Sequence, residues 1–223
     1  MRERPSILLA SANANLLRDR LTVEGYQVLG AQNGYEALNA GRSAHIDCLI
    51  FDLAVPGKHG FDVCRELRAS GSDIAIVLLT RQSRPTDGVI GLRLGADDYV
   101  RTPVVIEDLL ARVEAIMRRY SRASPRSADV FSSRDLYVNF RTAEVKRDEE
   151  HIALTALEMH LLQYLIEHRG EVVSREELLD KVWGYGTSPV TRTVDVRIAS
   201  LRRKLGNSEL IVTVHGFGYK FAG

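Results

Sequence analysis

The chain has 223 residues, enough for two domains of roughly 100 to 120 residues but not for three. Hydrophobic residues make up 45% and charged residues 26%, an ordinary globular composition that excludes disorder and collagen-like repeats. The net charge of +1 is evenly spread, with 15 Lys and Arg against 15 Asp and Glu in residues 1–120 and 15 against 14 in the remainder, so any nucleic-acid signal has to be local. The longest unbroken apolar run, Ile74 to Leu79, is far short of the ~20 residues that span a bilayer. The N-terminus mixes charges before only four apolar residues, unlike a secretory signal, so a cytoplasmic protein without membrane contact is expected. Cys48 and Cys64 have no partner at metal-ligand spacing and the six histidines are scattered; no disulfide, metal or cofactor is expected.

In chain order, Ile7 to Ala10 reads as a strand, followed by a helical pattern with Leu16, Leu17 and Leu21, a strand from Tyr26 to Ala31 and a polar helix from Tyr35 to Arg42. Cys48 to Phe51, Ile74 to Leu79 and Tyr99-Val100 are the next strands. Helices are expected between them at His59 to Ala69 and Arg84 to Leu94, and after them at Val105 to Arg119 with Leu109, Leu110, Val113, Ile116 and Met117 on one side. Strands that are apolar at every position, alternating with helices, fit a parallel sheet covered on both faces. Such a sheet places its chemistry at the carboxyl ends of its strands. The residues at those ends are Ser11 to Asn13, Asp52, Thr80 and Arg101 to Pro103.

Taken alone, an aspartate directly after a strand is a turn starter. Asp52 keeps particular company: Asp52-Leu53-x-x-Pro56-Gly57-x-x-Gly60-Phe61, Thr80 closing the next strand, Gly95-Ala96-Asp97-Asp98-Tyr99, and Pro103 after the fifth strand. Residues 5 to 120 therefore resemble the receiver domain of bacterial response regulators, a flavodoxin-like (βα)5 fold. The resemblance implies that Asp52 stands where a histidine kinase delivers a phosphoryl group, and that Thr80 and Tyr99 are the switch pair that reports it.

The departures from that pattern carry equal weight. The family has two adjacent acidic residues after the first strand to hold Mg²⁺, and here Ser11 and Ala12 stand there. Its lysine before the last proline is Thr102. Mg²⁺ takes hard oxygen ligands, and phosphoryl transfer relies on metal and cationic charge, so ordinary phosphorylation is expected to be crippled. The loss also speaks against a histidine kinase as a partner. Arg81 and Lys58 lie near enough in sequence that either is a candidate cation for Asp52, against the plainer reading of both as solvated surface charges.

Ser121 to Ala128 is polar with one proline and reads as a linker, which divides the chain into residues 1–120, 121–128 and 129–223. Beyond it come short strands at Val130-Phe131, Leu136 to Phe140, Ala143 to Lys146 and Ile152 to Leu154. Thr155-Ala-Leu-Glu158 and Ser174-Arg-Glu-Glu177 are capping-box patterns that mark two helix starts. A third helix, from about Val190 to Leu205, has Val194, Ile198, Leu201 and Leu205 on an apolar stripe. It also carries five cations against Asp195 alone. By itself such a run is a solvated helix face, but this one precedes two short strands joined by His215-Gly-Phe-Gly218. Helix, turn, basic helix and hairpin describe an α+β winged helix-turn-helix, which binds double-stranded DNA.

The stretch from Leu154 to Phe221, including Arg192-Thr193-Val194-Asp195-Val196 and Leu201-Arg-Arg-Lys-Leu205-Gly206, resembles the effector domain of the OmpR/PhoB family. The resemblance implies that Arg192, Arg197 and Arg203 face phosphates and the groove, with Thr193 and Lys204 beside them and Val196 and Ser200 towards base edges. His215 stands at the common wing arginine. It further implies a homodimer through the fourth helix, fifth strand and fifth helix, where Asp97, Asp98, Arg112, Arg118 and Arg119 match ion-pairing positions and Ile90 and Leu94 are apolar candidates. Gly88 stands where a basic residue is frequent. Three readings follow, none of them an enzyme: a regulator independent of Asp52 phosphorylation, a conventional phosphorylated one, and one whose receiver pocket takes a small molecule or protein. RNA polymerase is a candidate partner for each.

Overall fold

The computed structural model describes residues 4–11, 13–43, 45–81, 85–121, 130–133, 135–184, 192–206 and 209–223; the side chains of residues 85 and 118–121 also fall outside the description. The chain divides into two compact units, Met1–Met117 and Arg118–Gly223. Of the expected linker, only Ser121 lies within the described residues, where it closes a helix.

The first unit is a five-stranded parallel sheet of β1 (Ser6–Ala10), β2 (Gln27–Gly30), β3 (Cys48–Asp52), β4 (Ala75–Arg81) and β5 (Asp98–Thr102), in the order β2-β1-β3-β4-β5. The central strands β1 and β3 are buried at every position and β4 at all but Arg81, which is why they lack the alternation of a half-exposed strand. The edge strand β2 is mostly exposed. Among the described residues five helices cover the sheet: α1 (Ala14–Val23), α2 (Gly34–Gly41), α3 (Gly60–Ala69), α4 (Pro85–Arg93) and α5 (Ile106–Ser121). Asn33 and His59 cap α2 and α3 by accepting backbone amides, so each helix starts where a polar side chain meets its orphan donors. The α5 core face is Leu109, Val113, Ile116 and Met117; Leu110, expected beside them, is half-buried.

The second unit begins with an antiparallel sheet of β6 (Val130–Ser132), β7 (Leu136–Asn139), β8 (Glu144–Arg147) and β9 (Glu150–His151). The fourth strand is thus not Ile152 to Leu154. Asp148 and Glu149 both adopt positive φ, at 47° and 68°, and this two-residue reversal brings the chain back two residues early. Among the described residues three helical segments follow: α6 (Ala156–Glu167), α7 (Arg175–Leu178) running directly into a π-helical turn at Leu179–Trp183, and α8 (Arg192–Leu205). The expected α8 start near Val190 lies outside the described residues. The hairpin strands β11 (Ile211–Val214) and β12 (Gly218–Phe221) gain an unanticipated third neighbour, β10 (Val173–Ser174). Gly218 permits that pairing: a Cβ there would lie 2.0 Å from the Val173 carbonyl oxygen. Among the described residues no helix is long and apolar enough to cross a membrane.

Candidate functional site

In the first unit, Asp52 is the last residue of β3 and is 8% exposed. Its Oδ1 accepts the Ala54 amide at 2.9 Å, and the Ser11 hydroxyl donates towards Oδ2 at 3.5 Å. Ala12 lies outside the described residues. Neither candidate cation reaches Asp52. Lys58 pairs with Glu66, whose carboxyl that bond holds below its ordinary value, and Arg81 is exposed at the end of β4. Thr102, where the cation would stand, donates its hydroxyl to the Thr80 carbonyl at 3.2 Å. Among the described residues no three His, Cys, Asp or Glu side chains converge as metal ligands. One carboxylate and a serine hydroxyl are a poor match for a hard dication that favours several charged oxygens, so the donor set does not fit Mg²⁺.

Thr80 and Tyr99 are both buried, at 2% and 6% exposure. The Tyr99 ring fills the space above Gly88 of α4, where an added Cβ would meet ring carbons at 2.4 to 2.6 Å. Any side chain at position 88 collides with the ring in this position.

Of the expected ion-pairing residues of the association face, Asp97, Asp98 and Arg112 are turned towards partners within their own unit. Asp97, 1% exposed, pairs with Arg68 at 2.9 Å and accepts the Ile76 amide at 2.8 Å. Asp98, 2% exposed, pairs with Arg112 at 3.0 Å, and Arg112 also holds Asp108. Buried carboxylates need a charged partner from their own unit, and Arg68 and Arg112 supply it. Ile90 is exposed and Leu94 half-buried, while the Arg118 and Arg119 side chains lie outside the description.

In the second unit the centre of the polar network is Glu158. Thr155 and Glu158 form the anticipated capping box at the start of α6, but the carboxylate, 1% exposed, does more. It accepts the Thr155 amide at 2.9 Å, the Ser200 hydroxyl at 2.9 Å and the Lys204 ammonium at 2.6 Å. Burial works to raise its pKa, but Arg197 and Lys204 outweigh that and hold it below the ordinary carboxyl value. Three residues expected on the DNA side of α8 are therefore misplaced by the sequence reading: Thr193, Arg197 and Ser200 are 1%, 1% and 9% exposed and face inward. Lys204 is likewise drawn to Glu158 and the Ala153 carbonyl. What α8 presents outward is Arg192, Ala199 and Arg203, which are exposed, with the half-buried Val196 between them, spaced i, i+4, i+7, i+11 along one stripe.

The hairpin is tied to that helix. Arg202 donates to the Ile211 carbonyl and the Thr213 hydroxyl, each at 2.8 Å. Asp195 accepts both the Tyr219 hydroxyl at 2.6 Å and Arg175 at 2.7 Å, with the Arg175 and Arg202 guanidiniums over the Tyr219 ring at 4.9 and 5.6 Å. Burial and the bond to Asp195 push the Tyr219 hydroxyl up to about 12. His215 is exposed in the turn, as is Phe217, which the sequence reading passed over. Ser174 caps α7 through the Glu177 amide, but the Glu177 carboxylate bonds the Tyr164 hydroxyl instead of closing the box.

A doubly wound sheet with an aspartate at the end of β3, followed by a winged helix-turn-helix, defines a DNA-binding response regulator. The response regulator receiver domain matches residues 10–114, and the C-terminal domain of transcriptional regulatory proteins matches residues 148–221. The chain is 37% identical to the uncharacterized transcriptional regulatory protein YkoG of Bacillus subtilis over 94% of its own length and 93% of the relative's. It is 38% identical to the probable transcriptional regulator ycf27 of Galdieria sulphuraria, over 99% and 91%. A RitR mutant with a replaced cysteine superposes with a TM-score of 0.78 at 30% identity, over 98% of this chain and all of the other. The Thermotoga maritima OmpR/PhoB homologue DrrB does so at 0.51 and 28%, over 99% and 100%. The chain belongs to the OmpR/PhoB family of response regulators, which are DNA-binding transcription regulators and not enzymes.

Proposed function

We propose that this chain regulates transcription in the cytoplasm as a homodimer whose DNA binding does not depend on phosphorylation of Asp52. The observation that carries the reading is the set of groups around Asp52: one carboxylate, the Ser11 hydroxyl and no cation among the described residues. The charge that would stabilise a transferring phosphoryl group is missing from it. The buried Tyr99 over Gly88 supports the same reading, because the switch position is already packed. Residues 1–120 serve as the receiver, 121–128 as the link and 129–223 as the effector. Two copies associate through a face that includes Ile90 and Leu94, while Asp97, Asp98 and Arg112 serve the internal stability of each copy. RNA polymerase is the further partner, and a histidine kinase is not required.

The test exposes the full-length chain to a small phosphodonor with Mg²⁺ and reads intact mass, solution mass and affinity for DNA. The expected result is a dimer before and after treatment, no phosphoryl adduct, and equal affinity for wild type and Asp52→Ala. A phosphorylated species that binds DNA more tightly overturns the reading.

A further inference from the structure

Because Thr193, Arg197 and Ser200 are committed to the interior, the outward stripe of α8 is cation, apolar, apolar, cation: Arg192, the half-buried Val196, Ala199 and Arg203. The side chains at its centre have no hydrogen-bonding atom. The polar residues that flank them are held elsewhere, Asp195 by Arg175 and Tyr219, Arg202 by the hairpin, and Lys204 by Glu158. In the major groove each base pair displays a pattern of donors and acceptors, and the single apolar feature on any base edge is the 5-methyl group of thymine. An apolar reading surface between two cations discriminates by that methyl.

We infer that Val196 and Ala199 select thymine methyl groups in the major groove, while Arg192 and Arg203 hold the flanking phosphates. This rests on the winged helix reading DNA through α8, and it names what is read. The stripe spans i to i+11, so the two apolar residues sit one turn apart at its centre and face neighbouring base pairs. The inference accounts for the burial of Ser200: the hydroxyl is spent on Glu158 and contributes nothing to base choice.

The experiment recovers a preferred duplex from a random pool with the full-length chain, then compares it with the same duplex carrying uracil at every thymine. Uracil keeps all hydrogen-bonding edges and lacks only the methyl. The expected loss is about tenfold in affinity for the uracil duplex, on the scale of a lost base contact. The V196S and A199S double variant should bind both duplexes alike; since Ala199 is exposed and Val196 half-buried, its thermal midpoint should fall by only a few degrees. Equal binding of the two duplexes by wild type overturns the inference and leaves DNA reading by α8 intact. A uracil penalty that persists undiminished in the double variant overturns it too, because the methyl then acts on DNA shape. Failure of wild type to select any duplex removes the DNA reading itself and the inference with it.

Discussion

The Ser200 hydroxyl donates to the Glu158 carboxylate at 2.9 Å, across 42 residues of sequence, and this bond decides which side of α8 faces away from the core. Glu158 gathers the inner polar edge of the helix, and Val194, Ile198, Leu201 and Leu205 lock the apolar remainder. Rotating α8 to expose Ser200 would strip the carboxylate of a partner and bring Val196 or Ala199 inward. A buried charge left short of partners costs several kcal/mol, so the register of the helix is strongly held.

Replacing Glu158 by Gln is expected to destabilise the second unit by about 3 kcal/mol, because Lys204 and the buried Arg197 lose their anion. Denaturant unfolding with a probe in that unit measures it. A loss below about 1 kcal/mol would show that the network contributes little.

Acid should reach the same network. The Glu158 carboxyl has its folded pKa below the ordinary value, so the folded state binds that proton more weakly than the unfolded chain. Its stabilisation is complete above the unfolded value of about 4.3 and is lost as pH falls through the lower folded value. Acid titration of wild type against Glu158→Gln should show the difference between them shrinking below about pH 4. A difference that stays constant across that range would rule Glu158 out as the titrating group.

The two adjacent arginines of α8 should behave differently. Arg203 is exposed on the outward stripe, so Arg203→Ala should leave stability unchanged and flatten the dependence of log affinity on log salt by about 0.9 per protomer. Arg202 bonds the hairpin backbone, so Arg202→Ala should cost about 1 to 3 kcal/mol in stability, as expected for charged hydrogen bonds. Salt titrations of DNA binding alongside thermal melts separate the two effects. Identical behaviour of both variants would contradict the placement.

Gly88→Ala should destabilise the first unit by about 1 to 3 kcal/mol, since the new methyl meets the Tyr99 ring inside contact distance. Combining it with Tyr99→Ala tests the mechanism: the cost of Gly88→Ala should largely vanish when the ring is absent, a coupling visible in a double-mutant cycle. Additive costs would place the clash elsewhere.

Much of this was legible in sequence because the governing signals are local. Strands β1, β3 and β4 announce themselves by unbroken apolar runs, and Thr155 and Ser174 mark helix starts by capping chemistry. The place of Asp52 at the end of β3 follows from the same runs, while the roles of Asp52, Thr80 and Tyr99 remain what the resemblance to receiver domains implies. The facing of α8 was not legible, because the apolar stripe leaves polar residues on both of its flanks and nothing local says which flank meets Glu158. Periodicity ranks Arg197 with Arg203, although one is buried and the other exposed. Asp97 and Asp98 mislead for the same reason: their partners Arg68 and Arg112 lie 29 and 14 residues away, on other elements. The fourth strand of the antiparallel sheet begins two residues early because two positive-φ residues, neither of them glycine, make the turn before it.

The ties from Asp195 and Arg175 to Tyr219, and from Arg202 to the strand carbonyl at Ile211, leave the hairpin little freedom to swing relative to α8. A reader with a floating wing conforms to whatever groove lies beside its helix. This one carries a fixed gauge between the two, and the duplex has to be brought to it. On the proposed docking of the winged helix, promoters whose neighbouring groove is too stiff or too narrow to meet that gauge should bind more weakly, even where every base under α8 is correct.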